Sequence, residues 1–140
     1  MKVYYILIMV FIIACCCKTS KLNKAQTKCS GSYDTTLKMD IYSFVDKMPE
    51  YPGGQQELLE FILKKLKYPE QHVFQGTITY SFAVNKDGEL IDKKIYGKNK
   101  EDYTPLDKEA LRVLDLMPKW KVGECNGKKV PVRVILPIKL

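Results

Sequence analysis

Residue types that carry common chemistries are scarce in this chain of 140 residues. It has one histidine, His72, and one tryptophan, and its five cysteines form no CxxC pair. His72 has no serine or cysteine near it in sequence, so we interpret it as a loop or packing residue rather than a general base. Without a CxxC pair the sequence lacks a common signature of a zinc site. The sequence therefore predicts no enzyme, metal site, cofactor or small-molecule substrate.

Sequence patterns for calcium and phosphate binding are also incomplete. The acidic cluster of Asp87, Glu89 and Asp92 lacks the number of ligands found in a calcium loop. Gly53-Gly54 precedes a predicted helix but lacks the lysine and the spacing of a P-loop. We interpret the carboxylates as solvated surface residues and the glycines as a bend at the start of a helix.

The chain has no apolar run long enough to span a bilayer. The run from Val3 to Ala14 holds about a dozen residues, whereas a spanning helix needs about 20. Lys2 precedes this run, and the sequence IIAC at residues 12–15 resembles a bacterial lipobox. We predict a signal peptide over residues 1–14, cleaved before Cys15, which then carries lipid. An uncleaved signal anchor that continues through the three adjacent cysteines is the alternative.

Proline is absent before Pro49, so the polar segment after the cysteines is not a stiff polyproline spacer. Its richness in Lys, Thr, Ser, Asn and Gln predicts a flexible tether. We therefore divide the chain into a signal peptide (1–14), a lipid-anchored tether (15–43) and one folded domain (44–140). The formal charge of +7 suits an acidic partner or a lipid surface, while export argues against nucleic acid.

Lipidation of Cys15 would leave four cysteines in a compartment where disulfides form. They are Cys16, Cys17, Cys29 and Cys125. A bridge between Cys29 and Cys125 is one arrangement, and free or otherwise paired thiols are the others. The spacing does not decide between them.

Hydrophobic periodicity predicts five elements in the order α-β-β-α-β. They are a helix over 55–67, strands over 77–84 and 90–96, a helix that starts at Thr104-Pro105, and a strand over 130–140. The apolar stripe predicted for the first helix consists of Leu58, Leu59, Ile62, Leu63 and Leu66. Thr104 as N-cap, with Asp107 three residues later, predicts a capping box for the second helix. Trp120 is expected in the core.

The two prolines of the last predicted strand suggest what lies beside it. Pro131 and Pro137 have the same parity, so their missing N–H groups face the same side of the strand. We predict an edge strand, with even residues bonded to the sheet and the N–H groups of Arg133 and Ile135 facing outward. An extended peptide can pair with such an edge, oriented by Arg133. The alternative is that the prolines only protect the edge from aggregation.

Several motifs, in order along the chain, resemble those of the TonB C-terminal domain. They are MPEYPGG (48–54), KYPE (67–70), Gly76, DG (87–88), LDKEA (106–110), MPKWK (117–121), NG (126–127) and VPV (130–132). The likeness covers residues 48–140. It implies an α+β fold with two helices packed on a three-stranded antiparallel sheet.

The same resemblance implies a periplasmic domain whose last strand pairs with an extended TonB-box segment of an outer-membrane transporter. By position, the residues expected to carry that contact are Val132, Arg133, Val134, Ile135 and Leu136. The sequence lacks the spanning anchor, the proline-rich spacer and the intramembrane histidine that connect energy transducers of this family to the inner-membrane complex. Energy coupling is therefore less strongly implied than binding.

We expect a periplasmic protein-interaction module that binds an outer-membrane TonB-dependent transporter or another envelope protein. Lipid on Cys15 would hold it to a membrane facing the periplasm, with the outer membrane favoured over the inner. The alternatives are an envelope adaptor without an energy-coupling role and a cell-wall-binding protein. The tyrosines that suggest cell-wall binding are Tyr51, Tyr68, Tyr96 and Tyr103.

Overall fold

The computed structural model describes residues 29–68 and 76–140. In chain order the elements are β1 (Ser30–Asp34), β2 (Met39–Phe44), α1 (Gly54–Lys65), β3 (Thr77–Val84), β4 (Leu90–Ile95), a 3₁₀ turn (Lys100–Asp102), α2 (Pro105–Asp115), β5 (Gly123–Cys125), β6 (Lys128–Val130) and β7 (Val132–Lys139). One sheet has the strand order β1-β2-β7-β3-β4, and β5 pairs with β6 in a separate hairpin.

The β3–β4 hairpin forms where the alternating pattern predicted it. The Asn85 side-chain oxygen accepts hydrogen bonds from the N–H groups of Asp87 and Glu89, which closes the turn. Gly88 has a φ of 83°, a conformation that a residue with a Cβ rarely adopts. Its carbonyl accepts the Trp120 N–H at 2.8 Å, so the turn is held against the segment after α2.

Helix α2 starts as the sequence predicted. The Thr104 hydroxyl accepts from the Asp107 N–H, and the Asp107 carboxylate accepts from the Thr104 N–H, which completes a capping box. Its buried apolar residues are Leu106, Ala110, Val113 and Leu114. They contribute to the main core, in which the Trp120 indole stands edge-on to the ring of Phe82 with ring centroids 5.2 Å apart.

The buried stripe of α1 is narrower than predicted. Leu58, Ile62 and Leu66 are buried at a spacing of four residues, whereas Leu59 and Leu63 are 41% and 51% exposed. Successive residues of a helix are rotated by about 100° around its axis. Leu59 and Leu63 each follow a buried residue and therefore face away from the sheet. The prediction that Leu59 and Leu63 belong to the core stripe is wrong.

The N-terminal part of the domain is longer than predicted. The sequence predicts a flexible tether up to residue 43, yet β1 and most of β2 lie within residues 29–43 and pair with each other. The Asp34 carboxylate accepts hydrogen bonds from the N–H groups of Thr36 and Leu37 and so shapes the turn between β1 and β2. Strand β1 is polar and mostly exposed, which explains why its composition resembles that of a tether. The tether assignment is therefore wrong from residue 29 onward.

The sheet differs from the predicted three-stranded antiparallel sheet. It has five strands and is mixed, because β7 is antiparallel to β3 but parallel to β2. The predicted last strand is also two strands, since residues 128–130 turn back to pair with β5 and β7 starts after Pro131. The two helices and the order of the four central elements are as predicted. The extra strands form two local hairpins, and the pairing of β2 with β7 that brings one of them into the sheet joins residues far apart in sequence.

A disulfide joins Cys29, just before β1, to Cys125 at the end of β5. Their Cα atoms are 6.1 Å apart and the residues are separated by 96 positions in sequence. In the chain-entropy model, closing a loop of about 100 residues stabilises a fold by about 4.7 kcal/mol. Cys125 lies in a second, smaller core with Val45, Val130 and Val132. The bridge therefore connects the N-terminal hairpin to the part of the domain that precedes β7.

Within the described ranges, none of the helices has the length and apolarity needed to cross a membrane. The predicted signal peptide, Cys15, the tether up to residue 28 and His72 lie outside the described residues.

Candidate functional site

The predicted partner-binding residues all lie on β7, where their side chains divide between two faces of the sheet. Val132 is fully buried, and Val134 and Leu136 are half-buried and pack against the main core. Because side chains alternate along a strand, Arg133 and Ile135 lie on the opposite face. Ile135 is 44% exposed. Ile135 is therefore the one exposed apolar side chain among the five predicted residues.

The backbone groups of β7 also divide by parity. Beyond the end of the strand, the Leu140 N–H donates to the Gly76 carbonyl at 2.9 Å, so even residues direct their polar groups toward β3. The carbonyl of Pro131 instead accepts the Tyr42 N–H from β2, also at 2.9 Å. The backbone N–H and C=O groups of odd residues therefore point away from β3. Pro137 is an odd residue, so its lack of an N–H group removes no hydrogen bond between β7 and β3.

Strand β2 covers only the beginning of this outward side. Its register with β7 consists of the pair Tyr42–Val132. In a parallel ladder the return bond comes from the residue after the partner, so the N–H of Arg133 is engaged with Tyr42. The prediction that β7 is an edge strand is wrong at this end. Beyond Arg133, no strand in the described part of the chain pairs with the outward side of β7.

Arg133 does not offer its side chain to a partner. Its guanidinium lies 2.5 Å from Asp92 of β4 and 3.3 Å from Asp34 of β1, and its side chain is 17% exposed. Partial burial tends to raise the pKa of Asp92, but hydrogen bonds from Arg133 and Lys94 outweigh that effect and lower the pKa below its usual value. The expectation that Arg133 orients a bound peptide is therefore replaced by a structural role. No sequence pattern identifies these two carboxylates.

A comparison with protein families bears on what this edge does. The family model described as the Gram-negative bacterial TonB protein C-terminal matches residues 64–139. The chain belongs to the TonB C-terminal family. The match starts in the last turn of α1 and ends with β7, so it includes the outward side of that strand. No curated protein and no solved structure matches the chain.

TonB C-terminal domains are periplasmic modules of protein interaction, and they contact outer-membrane TonB-dependent transporters. They are not a family of enzymes. In this TonB-type domain the family match leaves the β1–β2 hairpin outside its limits. That hairpin lies beside β7, the strand to which the family resemblance assigned partner contact.

The tyrosines considered for cell-wall binding do not form one surface in this TonB-type domain. Tyr51 is buried in the core against Trp120, and the Tyr103 hydroxyl accepts the Ile95 N–H at 3.1 Å. Tyr68 and Tyr96 are exposed. Two of the four rings are thus used in packing and hydrogen bonding within the domain.

A cleft of about 300 Å³ opens between the start of α2 and the ends of β3 and β4. Its carboxylate, Asp107, is almost fully buried and is bound by Lys98 at 2.7 Å and by Thr104. Burial tends to raise the pKa of Asp107, but these hydrogen bonds outweigh that effect and lower it. The Asp107 and Thr104 side chains of this cleft therefore serve the helix cap.

The group formed by Cys29, Cys125 and Asp46 has its potential ligand atoms within 4.8 Å of one another. The two sulfur atoms are bonded to each other in the disulfide and are not thiolates. Asp46 accepts a hydrogen bond from the Asn126 N–H at 2.5 Å. This group stabilises the β5–β6 turn rather than presenting a metal-ligand set.

Proposed function

We propose that this protein binds an extended segment of an outer-membrane TonB-dependent transporter, which adds as a strand to the outward side of β7. The observation that carries the proposal is the row of backbone groups beyond Arg133. No strand pairs with them in residues 29–68 and 76–140, and they lie beside the exposed Ile135. Membership of the TonB C-terminal family supports the choice of partner.

The chemistry of this edge sets the form of the bound segment. Ile135 offers an N–H and a carbonyl, and the carbonyls of Arg133 and Pro137 face the same way because they share its parity. A partner strand centred on Ile135 can therefore make a short set of main-chain hydrogen bonds, each contributing about 1 kcal/mol. The exposed Ile135 side chain favours an apolar residue on the same face of the partner strand.

The location of the domain is part of the proposal. A cleaved signal peptide and lipid on Cys15 would hold the protein at a membrane, facing the periplasm, with the outer membrane favoured. Residues 15–28 would then link the lipid to the folded domain as a tether. Such a tether suits an adaptor that sits beside its transporter. Coupling to an inner-membrane energy source is the second role to test, and family membership supports it.

The binding test uses synthetic peptides that copy the periplasmic N-terminal segments of the host's TonB-dependent transporters. Full-length protein in detergent is titrated with each peptide by calorimetry. Ile135→Pro removes the outward N–H that β3 does not use, and we expect affinity to fall at least about fivefold, the equivalent of one hydrogen bond. Ile135→Val retains the N–H and is the matched control.

A second measurement covers the case in which Ile135→Pro does not fold. In the unchanged protein, a bound peptide should slow hydrogen exchange at the Ile135 amide while amides bonded to β3, such as Leu136, stay as they were. If peptides bind without slowing exchange at Ile135, the edge is not their site. The anchor is tested separately by the mass and membrane fraction of protein from the native host, with Cys15→Ala as control.

A further inference from the structure

The β1–β2 hairpin occupies the start of the same outward side of β7 to which a partner strand would add. Its Tyr42 N–H donates to the Pro131 carbonyl, and the parallel bridge uses the Arg133 N–H in return. The hairpin is thus positioned as a short strand added from within the chain. It occupies one backbone donor, the Arg133 N–H, and one acceptor, the Pro131 carbonyl. Both lie next to the outward backbone N–H and carbonyl of Ile135, with which no strand of the described residues pairs.

Few contacts other than the Tyr42 bridge and the ion pair between Asp34 and Arg133 hold the hairpin to β7, and the disulfide attaches it to β5 instead. Four of the five residues of β1 are exposed, and β2 meets β7 at a single register pair. The buried apolar side chains of this segment are Ile41 and Val45. A strand contact this short is marginal on its own, because isolated two-stranded pairing has little stability in water.

Release of the hairpin would not leave an unpaired buried charge. Arg133 would lose Asp34, at 3.3 Å, but would keep Asp92, at 2.5 Å. Removing the only partner of a buried charge is costly, whereas removing one partner of two is much less so. Asp34 lies at the end of β1 and would enter water, where a carboxylate is well solvated.

Covalent attachment changes this balance. Cys29 precedes β1 directly, and its bond to Cys125 keeps the hairpin tied at both ends, since the chain continues from β2 into Val45 of the second core. Tying both ends keeps the effective concentration of β2 beside β7 high. Without the bond, only the end at Val45 stays attached to the domain, and the hairpin competes with a partner strand as a tethered segment.

We propose that the β1–β2 hairpin is an intramolecular occupant of the partner-binding edge of β7, and that the Cys29–Cys125 disulfide controls how much of that edge an extended peptide can reach. The proposal rests on the function proposed above. With the hairpin bound, the Ile135 N–H is the one outward donor before Pro137 that a partner strand can bond to. With the hairpin released, the partner strand can also bond to the N–H of Arg133 and the carbonyl of Pro131.

Opening by reduction requires a dithiol. Its two sulfur atoms become a disulfide, while the bond between Cys29 and Cys125 breaks and each of these cysteines gains one electron and one proton. In an oxidising compartment such as the periplasm, which is proposed above for this chain, the bridge would be oxidised at rest.

The first experiment measures hydrogen exchange of full-length protein with no partner present. We compare the unchanged protein, the same protein in dithiothreitol, and the double variant Cys29→Ser/Cys125→Ser. The Arg133 amide should exchange at least about tenfold faster when the bond is absent, relative to the Leu136 amide, which is bonded to β3. Equal relative protection with and without the bond would overturn the proposal.

The second experiment uses a synthetic peptide with the sequence KMDIYSFV, a copy of residues 38–45. It should bind the double cysteine variant at least about tenfold more tightly than the oxidised protein, because it replaces the released hairpin. Tyr42→Pro, which keeps the disulfide but removes the donor to Pro131, should also increase exchange at Arg133. Equal peptide affinity for the double variant and the oxidised protein would count against displacement.

The two proposals fail in different ways. If transporter peptides bind neither form but Arg133 loses protection on reduction, the partner is wrong and the hairpin is still a removable cover. If transporter peptides bind both forms equally and Arg133 stays protected, strand addition stands and control by the hairpin is rejected.

Discussion

The Arg133 guanidinium and the Asp92 carboxylate lie 2.5 Å apart, although 41 residues separate them in sequence. The pair joins β7 to β4 across the intervening strand β3, on the face of the sheet opposite to the helices. Asp34 adds a second contact from β1. One arginine thus holds three strands in register, which is why its side chain is not free to receive a ligand.

Replacing Arg133 by methionine should reduce the free energy of unfolding at pH 7 by about 2 kcal/mol, because two carboxylates lose a charged donor. The folded-state pKa of Asp92 is lowered, so its contribution is present above the unfolded pKa of about 3.8 and is lost as the pH falls below it. Urea unfolding at pH 7 and pH 3 should show the difference shrinking. Lys139→Met, an exposed position of the same parity, should cost little at either pH.

Glu109 should make stability depend on pH in the same direction. Hydrogen bonding from Arg112, together with the Lys67 N–H, lowers the pKa of Glu109 to about 2 despite some burial. Its contribution is complete above the unfolded value near 4.5 and disappears as the pH falls toward 2. Glu109→Gln should therefore destabilise the domain at pH 7 by about 1 kcal/mol and much less at pH 2. A difference that persists at pH 2 would contradict the assignment.

Gly88 and Gly97 form a matched pair for testing how closely the β3–β4 turn is packed against the Trp120 backbone. Both have positive φ values, 83° and 74°, but a Cβ at Gly88 would collide with the Trp120 carbonyl, while one at Gly97 would meet no atom within 4 Å. Gly97→Ala should cost about 1 kcal/mol for its conformation alone. Gly88→Ala should cost at least about 2 kcal/mol more. Similar melting temperatures for the two variants would show that the turn can move away from Trp120.

The capping box of α2 can be tested with a conservative substitution. Thr104→Ala removes the hydroxyl that accepts the Asp107 N–H and should destabilise the domain by about 1 kcal/mol. Thr104→Ser retains this acceptor and should stay within about 0.5 kcal/mol of the unchanged protein. Thermal unfolding of the three proteins compares them directly. Equal losses from both substitutions would assign the effect to the threonine methyl group instead.

The elements that the sequence predicted well are those built from local rules. The helix cap at Thr104 and the hairpin turn at Asn85 each depend on residues within four positions of each other. The strands 77–84 and 90–95 follow from the alternation of apolar and polar residues. The exposed leucines of α1 were misassigned because periodicity alone does not say how wide a stripe the sheet covers. The motifs also pointed to the TonB C-terminal family, which a family model matches.

The N-terminal hairpin has a weak sequence pattern. SGSYD has the composition of a linker and no alternation of apolar residues, although its partner β2 follows directly in the chain. The contacts that attach this hairpin to the rest of the domain are distant ones, the disulfide to a cysteine 96 positions away and the pairing of β2 with β7. The mixed sheet was missed because the parallel pair of Tyr42 and Val132 joins residues from the two ends of the domain.

By itself the sequence determined the helices, the central hairpin, the parity of the prolines on the last strand and the family. Each of these depends on side-chain pattern or on neighbours in the chain. The tertiary structure alone decided which cysteines pair, what neutralises Arg133 and how much of β7 stays open. Those outcomes depend on which distant segments meet, and many pairings satisfy the same local pattern, so only the packed domain selects one.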